Sequence, residues 1–169
     1  MLRALNRGLE WLLTRLLTTC FGALIAVVFI QVFARNVLVL PQIWTLDVAQ
    51  LLFAWCIFIG AAVALRWDAH YTLDLFPDHW TAPRALFRVI GHVGSVIVVW
   101  VLIAPGWTFA QIGLNRFAPA IGISEFWFFL PIPLGGLAMA LFLAEMIPDD
   151  LRALRAALAA PDGAAEGTE

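Results

Sequence analysis

The amino-acid sequence predicts an all-α integral membrane protein, in which an N-terminal in-plane amphipathic helix precedes four transmembrane helices. One observation is composition: 63% of the 169 residues are hydrophobic, only 13% are charged, and the mean hydropathy is +0.91. These values are far outside the range of soluble domains. The other is the presence of apolar runs of about twenty residues, each long enough at about 1.5 Å per residue to cross a hydrocarbon core of roughly 30 Å.

The first fourteen residues have the pattern of a surface helix. Leucines occupy one helical face, and polar side chains including Asn6 and Glu10 occupy another. We therefore expect residues 2–14 to lie in the membrane surface. A cleavable signal peptide is the alternative, but the apolar run over 16–34 is longer than a signal's hydrophobic region, and no small-residue cleavage site closes it. That run is predicted to be span one.

The second apolar run is the most diagnostic, because no charged residue occurs between Asp47 and Arg66. It predicts span two over residues 46–65. At its entrance Asp47 and Gln50 lie three residues apart on one helical face, where they need a partner other than lipid.

The rest of the chain supplies two more spans and a tail. Span three is predicted over 89–112, with a kink at Pro105, and span four over 126–147, where two early prolines predict a distorted first half. A short helix is expected after span four. We expect residues 1–160 to form a single membrane domain and residues 161–169 to be a disordered tail.

The distribution of basic residues predicts the orientation. All ten are arginines, and the positive-inside rule places the arginine-rich side in the cytoplasm. Both termini are therefore expected to be cytoplasmic. The side of the termini and the second loop contains Arg3, Arg7, Arg15, Arg66, Arg84, Arg88, Arg152 and Arg155, and the other side contains Arg35 and Arg116.

Polar side chains gather at both membrane interfaces. At the outer one Gln31 and Arg35 share a face at the end of span one, close to Asp47 in the chain, and Glu125 flanks span four. A salt bridge between Arg35 and Asp47 is the leading interpretation, while a substrate site or a contact with a partner protein stays open. At the inner interface Glu145 is expected to reach Arg15 or Arg88.

Several function classes are not supported by the sequence. A net charge near −2 without a basic cluster gives no footprint for nucleic acid. There is no phosphate-binding glycine loop, no nucleophile elbow and no carboxylate pair placed for acid–base chemistry, so we do not expect an enzyme. Cys20 and Cys56 fall inside apolar runs and are interpreted as small hydrophobic residues.

The histidines do not predict a cofactor. His92 is the one histidine inside a span, whereas haem ligation by two histidines requires a facing pair at matched depth. His70, Asp74 and His79 lie in the loop after span two, where their spacing is not diagnostic of a metal site. A solvated interfacial loop is the preferred interpretation.

Four segments, QVFARNV, WTLDVAQLLFAW, FIGAAVALR and HYTLDL, together resemble the small membrane (Q) subunit of tripartite ATP-independent periplasmic (TRAP) transporters. The resemblance covers nearly the whole chain and is most specific over 31–74. The matching positions are Gln31, Arg35, Trp44, Asp47, Gly60, Ala61, Arg66, His70 and Asp74. The chain departs from the family at two places. It has Leu46-Asp47 where the family often has two acids, and it has Gln50 where the family often has a basic residue.

The resemblance implies a transporter subunit of the bacterial inner membrane without cofactor or chemistry of its own. Its expected partners are a large membrane subunit, which moves an organic acid by a sodium-coupled elevator motion, and the periplasmic binding protein that delivers the solute. The small subunit would be the scaffold. The alternative is a self-sufficient four-span carrier or channel acting as a homo-oligomer, which would need polar residues along one face through the mid-membrane.

Overall fold

A computed structural model describes residues 2–40, 42–68 and 81–159. Within these ranges the chain forms five α-helices and no β-strand. They are α1 (Leu2–Asn36), α2 (Trp44–Asp68), α3 (Thr81–Gly113), α4 (Phe126–Phe129) and α5 (Pro131–Ala159). Four stretches are long and apolar enough to cross a membrane, namely Ala4–Asn36, Trp44–Trp67, Gly94–Gly113 and Phe126–Pro148. The predicted fold class, an all-α integral membrane protein with four transmembrane helices, is confirmed.

The N-terminal helix differs from its predicted form. Residues 2–14 and span one are joined in α1, one helix of 35 residues with a length of about 52 Å. The polar side chains Asn6 and Glu10 turn toward α5 and α2, whereas Leu5 and Leu12 are exposed. The polar pattern therefore reflects contacts with protein, and an in-plane orientation of residues 2–14 stays a prediction.

The fourth span contains a break and a long extension. The predicted distortion takes the form of a gap at Leu130 between α4 and α5, and α5 then begins at Pro131, where a missing N–H is tolerated. Helix α5 continues through Pro148 to Ala159, so the segment after Pro148 is helical as expected, but it is part of α5. Helix α3 likewise continues past Pro105. His70, Asp74, His79 and the tail over 161–169 lie outside the described residues.

The helices pack as an open layer. Helix α2 packs against α1 and α5, and α3 packs against α5, whereas within the described ranges α3 contacts neither α1 nor α2. The order across the layer is therefore α1, α2, α5, α3. Half of the most apolar stretch of the fourth span is buried, but none of the corresponding stretch of α1. Two helices thus form the centre of the layer, and two form its edges.

The centre is closely packed because α5 has adjacent glycines facing its two neighbours. A Cβ atom at Gly135 would lie 2.8 Å from the carbonyl oxygen of Phe58 on α2, and one at Gly136 would lie 2.9 Å from the Cβ of Leu102 on α3. Both helix backbones can approach only because these atoms are absent. The buried cluster beside them consists of Ala62, Val99, Ala138, Met139, Phe142 and Leu143.

Candidate functional site

Polar side chains of the described residues form two clusters at opposite ends of the helix layer. The inner polar cluster consists of Asn6, Glu10, Arg66, Trp67 and Glu145. The outer polar cluster consists of Asp47, Arg116, Ser124 and Glu125 together with the backbone of Gly113 and Ala120.

The inner polar cluster is organised around the guanidinium group of Arg66. Its Nε donates a hydrogen bond to Oε2 of Glu10 at 2.6 Å, and its Nη1 donates to Oε2 of Glu145 at 3.1 Å. All three side chains are partly buried. Because the guanidinium group is a planar fork of donors, one cation can bind two carboxylates from different helices at once. Arg66 therefore joins α1, α2 and α5.

Two further side chains complete this inner cluster. The fully buried Asn6 donates from Nδ2 to the carbonyl oxygen of Leu141 at 3.0 Å and to Oε2 of Glu145 at 2.6 Å. Trp67 donates from its indole Nε1 to Oε1 of Glu10 at 3.0 Å. Hydrogen bonds near the N-terminal end of α1 thus contribute to the packing of α1 against α5. Such bonds matter in lipid, where apolar surface alone does not drive helices together.

Glu145 binds Arg66 and Asn6 in the inner cluster, and the predicted contact with Arg88 lies outside the side chains that the structure describes. Arg15 instead lies over the ring of Trp11 on the outward side of α1. Sequence reasoning included Arg66 but missed its pairing with Glu10. Their positions in the sequence could have indicated this pair, because Glu10 and Arg66 lie at the same end of two consecutive antiparallel spans.

The outer polar cluster connects α2 to the loop between α3 and α4. Oδ2 of Asp47 accepts a hydrogen bond from the backbone N–H of Ala120 at 2.9 Å. Within this loop Phe117 and Ser124 form an antiparallel bridge, and the Ser124 hydroxyl donates to the Gly113 carbonyl at 2.8 Å. Asp47 therefore stabilises the folded loop.

The predicted ion pair between Arg35 and Asp47 is not present among the described residues, where Arg35 is exposed and Asp47 binds the loop. The physical reason is that the loop hairpin presents a backbone donor to Asp47. Glu125 pairs instead with the exposed Arg116, with Oε2 at 2.9 Å from Nε.

The remaining predicted positions do not converge on one site. Gln31 is partly buried, Gln50 is exposed, and Trp44 donates from Nε1 to Oε1 of Gln42 at 2.8 Å. The nearest side-chain atom to a Cβ at Gly60 is Cδ1 of Leu17 at 3.7 Å, an ordinary contact between α2 and α1. These residues therefore support local structure and helix packing.

Between the clusters, one polar contact links helices across the layer. Trp55 on α2 donates from its indole Nε1 to the carbonyl oxygen of Trp127 on α4 at 3.1 Å. The residue four positions after Trp127 is Pro131, which has no N–H to donate to this carbonyl. The indole thus satisfies a backbone group that lipid cannot satisfy.

In the described part of the chain, no group of three His, Cys, Asp or Glu residues is arranged to hold a metal ion.

The edge helices present apolar lateral faces that the chain itself does not cover. On α1 the exposed side chains include Phe21, Phe29 and Phe33, and the last two rings stack with centroids 6.1 Å apart. On α3 they include Val98 and Trp100. In a membrane such faces contact lipid or another membrane protein.

The fold and its polar clusters define a class of protein: a four-span membrane protein whose helices are connected by fixed polar contacts near both ends. The match to a family model is more specific. Residues 24–153 match the DctQ component of tripartite ATP-independent periplasmic transporters, and the chain belongs to this family.

Curated relatives agree with this assignment. The chain is 28% identical over 148 residues to the sialic acid TRAP transporter small permease protein SiaQ of Vibrio cholerae, covering 87% of this chain and 84% of that protein. It is 25% identical over 105 residues to a putative TRAP transporter small permease protein of Haemophilus influenzae, covering 61% of this chain and 65% of the relative. It is also 30% identical over 145 residues to the sialic acid TRAP transporter permease protein SiaT of Haemophilus influenzae. That match covers 82% of this chain but only 22% of the relative.

Proposed function

We propose that this chain is the small permease subunit of a TRAP transporter and acts as a scaffold for a large sodium-coupled elevator subunit. A periplasmic binding protein would deliver the solute to the assembled complex. Family membership supports the role of transporter component. The scaffold role is supported by the open helix layer and by the way its helices are held.

The observation that carries the proposal is the position of the fixed charges. No charged residue occurs between Asp47 and Arg66 in α2, or between Pro131 and Ala144 in α5, the two central helices of the layer. A carboxylate solute crossing the bilayer needs compensating donors or cations at mid-depth. The charges at the two ends instead stabilise the helix arrangement, which suits a static frame.

A large membrane partner is supported by the longer relative. Most of this chain matches a small part of the permease SiaT, whose sequence extends well beyond the matched portion. A single chain can therefore hold the counterpart of this subunit together with a larger permease region. The apolar lateral faces of α1 and α3 provide uncovered surface for a separate partner of that kind.

The proposed solute is an organic acid. Two relatives have names that specify sialic acid, which is a carboxylate. Sialic acid is therefore the first compound to test, and other carboxylates follow. Sodium coupling and solute binding are assigned to the large subunit.

We further propose insertion in the bacterial inner membrane with both termini in the cytoplasm, as the arginine asymmetry indicates. Phosphatase fusions should be active at Val39 and Ala118 and inactive at the C-terminus. An active phosphatase at the C-terminus would reverse the proposed topology.

Co-purification tests the scaffold role. A tagged chain expressed with a TRAP large subunit from the same genome should retain that subunit in mild detergent at a constant ratio. A four-span membrane protein of similar size from another family, tagged in the same way, is the matched control. Elution of the tagged chain without the large subunit, at the level of the control, would contradict the proposal.

A further inference from the structure

The outward side of α1 has a polar stripe near its N-terminal end that the scaffold role does not use. Arg7, Trp11 and Arg15 follow each other at intervals of four residues, so they lie on one helical face. All three are exposed, and the guanidinium carbon of Arg15 lies 5.6 Å from the centroid of the Trp11 ring. We call these three residues the arginine ladder.

A neighbouring face of the same helical turns contacts the rest of the protein. Asn6 and Glu10 bind residues of α5 and α2, and Glu10 pairs with Arg66. Neither Arg7 nor Arg15 makes an ion pair with a carboxylate in the part of the chain that the structure describes. The ladder therefore presents two positive charges to whatever surrounds α1.

The depth of Arg15 follows from the contact between Glu10 and Arg66. Arg66 ends the charge-free stretch of α2, and its Nε lies 2.6 Å from Glu10, so Glu10 is at the same level of the membrane. Arg15 is five residues further along α1, about 7.5 Å closer to the membrane centre. An arginine backbone at this depth and on the exposed side of a helix is surrounded by lipid.

The direction of the Arg15 side chain explains how a charged residue is tolerated at this depth. Helical side chains point toward the N-terminus of their helix, which here is toward the interface, and a long cationic side chain extends in the same direction to reach polar groups. The ring of Trp11 lies one turn toward that interface, and the guanidinium carbon lies over it at 5.6 Å from the centroid. The edges of the group, which carry the N–H donors, remain available to an acceptor.

We propose that the arginine ladder binds the headgroup of an anionic phospholipid in the leaflet that contains the N-terminal end of α1. The planar guanidinium group matches phosphate oxygens in a two-donor geometry, and Arg7 supplies a second cation two turns from Arg15. Anionic lipids attract arginines near the membrane surface, and indoles favour the headgroup zone. The lipid phosphodiester is chosen as occupant because α1 spans the membrane and both charges lie on its uncovered side.

Native mass spectrometry of the purified full chain in neutral detergent tests this proposal. Phosphatidylglycerol is titrated into the wild type, Arg15→Gln and the matched control Arg35→Gln, which removes an exposed arginine near the other end of the same helix. We expect phosphatidylglycerol to bind about fivefold more weakly to Arg15→Gln, equivalent to roughly 1 kcal/mol for one arginine near a charged lipid surface. Binding to Arg35→Gln should stay within about twofold of wild type, and Trp11→Leu should give an intermediate value because the ring orients the cation.

Three further arms identify the occupant. Phosphatidylcholine should bind wild type more weakly than phosphatidylglycerol, and millimolar inorganic phosphate should not displace the bound lipid. Arg15→Lys should recover part of the affinity lost in Arg15→Gln, because it restores the charge without the planar fork. Equal circular dichroism spectra of the variants establish that the fold is retained.

The proposal would be overturned by equal lipid binding in Arg15→Gln and wild type, or by an equally large loss in Arg35→Gln. Displacement of the lipid by inorganic phosphate would reassign the ladder to a free anion. Loss of co-purification with the large subunit in Arg15→Gln, at unchanged lipid binding, would reassign it to a protein contact. The lipid-binding measurements use the purified chain without the large subunit, so their failure is distinguishable from failure of the scaffold role.

Discussion

At the inner end of the helix layer, the guanidinium group of Arg66 lies between carboxylates from two other helices, whereas at the outer end Asp47 accepts a hydrogen bond from the backbone of Ala120. The inner contacts fix the relative positions of α1, α2 and α5. The outer contact fixes a loop against α2. Similar residue types thus perform different tasks, and the difference depends on whether the group facing a carboxylate is a cation on another span or a backbone N–H.

Replacing Arg66 should have the largest effect. Arg66→Met leaves Glu10 and Glu145 facing each other without their shared cation, in a partly buried position. We expect a loss of about 2 to 3 kcal/mol in the free energy of unfolding, near the lower limit for breaking a buried ion pair. A denaturant titration in mixed micelles measures this loss.

Arg66→Lys separates charge from geometry. An ammonium group is compact and lacks the fork that reaches two carboxylates, so the loss should be intermediate. Arg35→Met is the control, because Arg35 is exposed at the other end. Equal stability of the Arg66→Met and Arg35→Met proteins would show that the inner cluster does not stabilise the helix arrangement.

Substitution of a packed glycine at the centre of the layer should cause the next largest loss in the free energy of unfolding. In Gly135→Ala the new Cβ would lie 2.8 Å from the carbonyl oxygen of Phe58, so α2 and α5 must separate, with an expected loss of about 1 to 3 kcal/mol. Gly22→Ala on α1 is the matched control, since nothing lies within 4 Å of its Cβ position. Unfolding titrations should show the control at or slightly above wild-type stability. The opposite order would show that α5 is not the packed centre.

The hydrogen bond between Asp47 and Ala120 should contribute less to the free energy of unfolding than the inner cluster or the central packing. Asp47→Ala leaves the Ala120 N–H without its acceptor and should cost about 1 kcal/mol of unfolding free energy, while Asp47→Asn retains an acceptor oxygen and should cost less. Limited proteolysis of the loop over 114–125 measures the same change locally. Equal cleavage rates in wild type and Asp47→Ala would show that Asp47 does not hold this loop.

The smallest effect is expected for the pairing of Arg35 with Asp47. A double-mutant cycle with Arg35→Ala and Asp47→Ala should give a coupling energy below about 0.5 kcal/mol, as for independent sites. Recovery of stability in a charge-swapped pair, relative to each single swap, would instead restore the ion pair that the sequence suggested.

The fold class was predictable because apolar length is a local property of the sequence. The α2 span is visible from the stretch between Asp47 and Arg66 alone. The bounds of α1 were not predictable in the same way, because the polar pattern of Asn6 and Glu10 is identical whether these side chains face water or protein. Their burial depends on where α2 and α5 lie, which no local pattern contains.

The contacts of the candidate site were harder to predict, because they depend on the order of helices in the layer. Glu145 binds Arg66 since α2 and α5 are neighbours. Proximity in the chain suggested Arg35 for Asp47, but the folded loop supplies a donor from about seventy residues away. The packing role of Gly135 likewise depends on the neighbouring helix, because Gly135 lies opposite Phe58 of α2.

Solute uptake into proteoliposomes tests the scaffold role most directly. Vesicles with a sodium gradient are prepared with this chain alone, with the large subunit alone, and with both, each in the presence of the binding protein and labelled sialic acid. We expect uptake only when both membrane subunits are present, because α2 and α5 contain no mid-membrane charges for a carboxylate. Saturable, solute-specific accumulation with this chain alone would contradict the scaffold role and support a self-sufficient carrier.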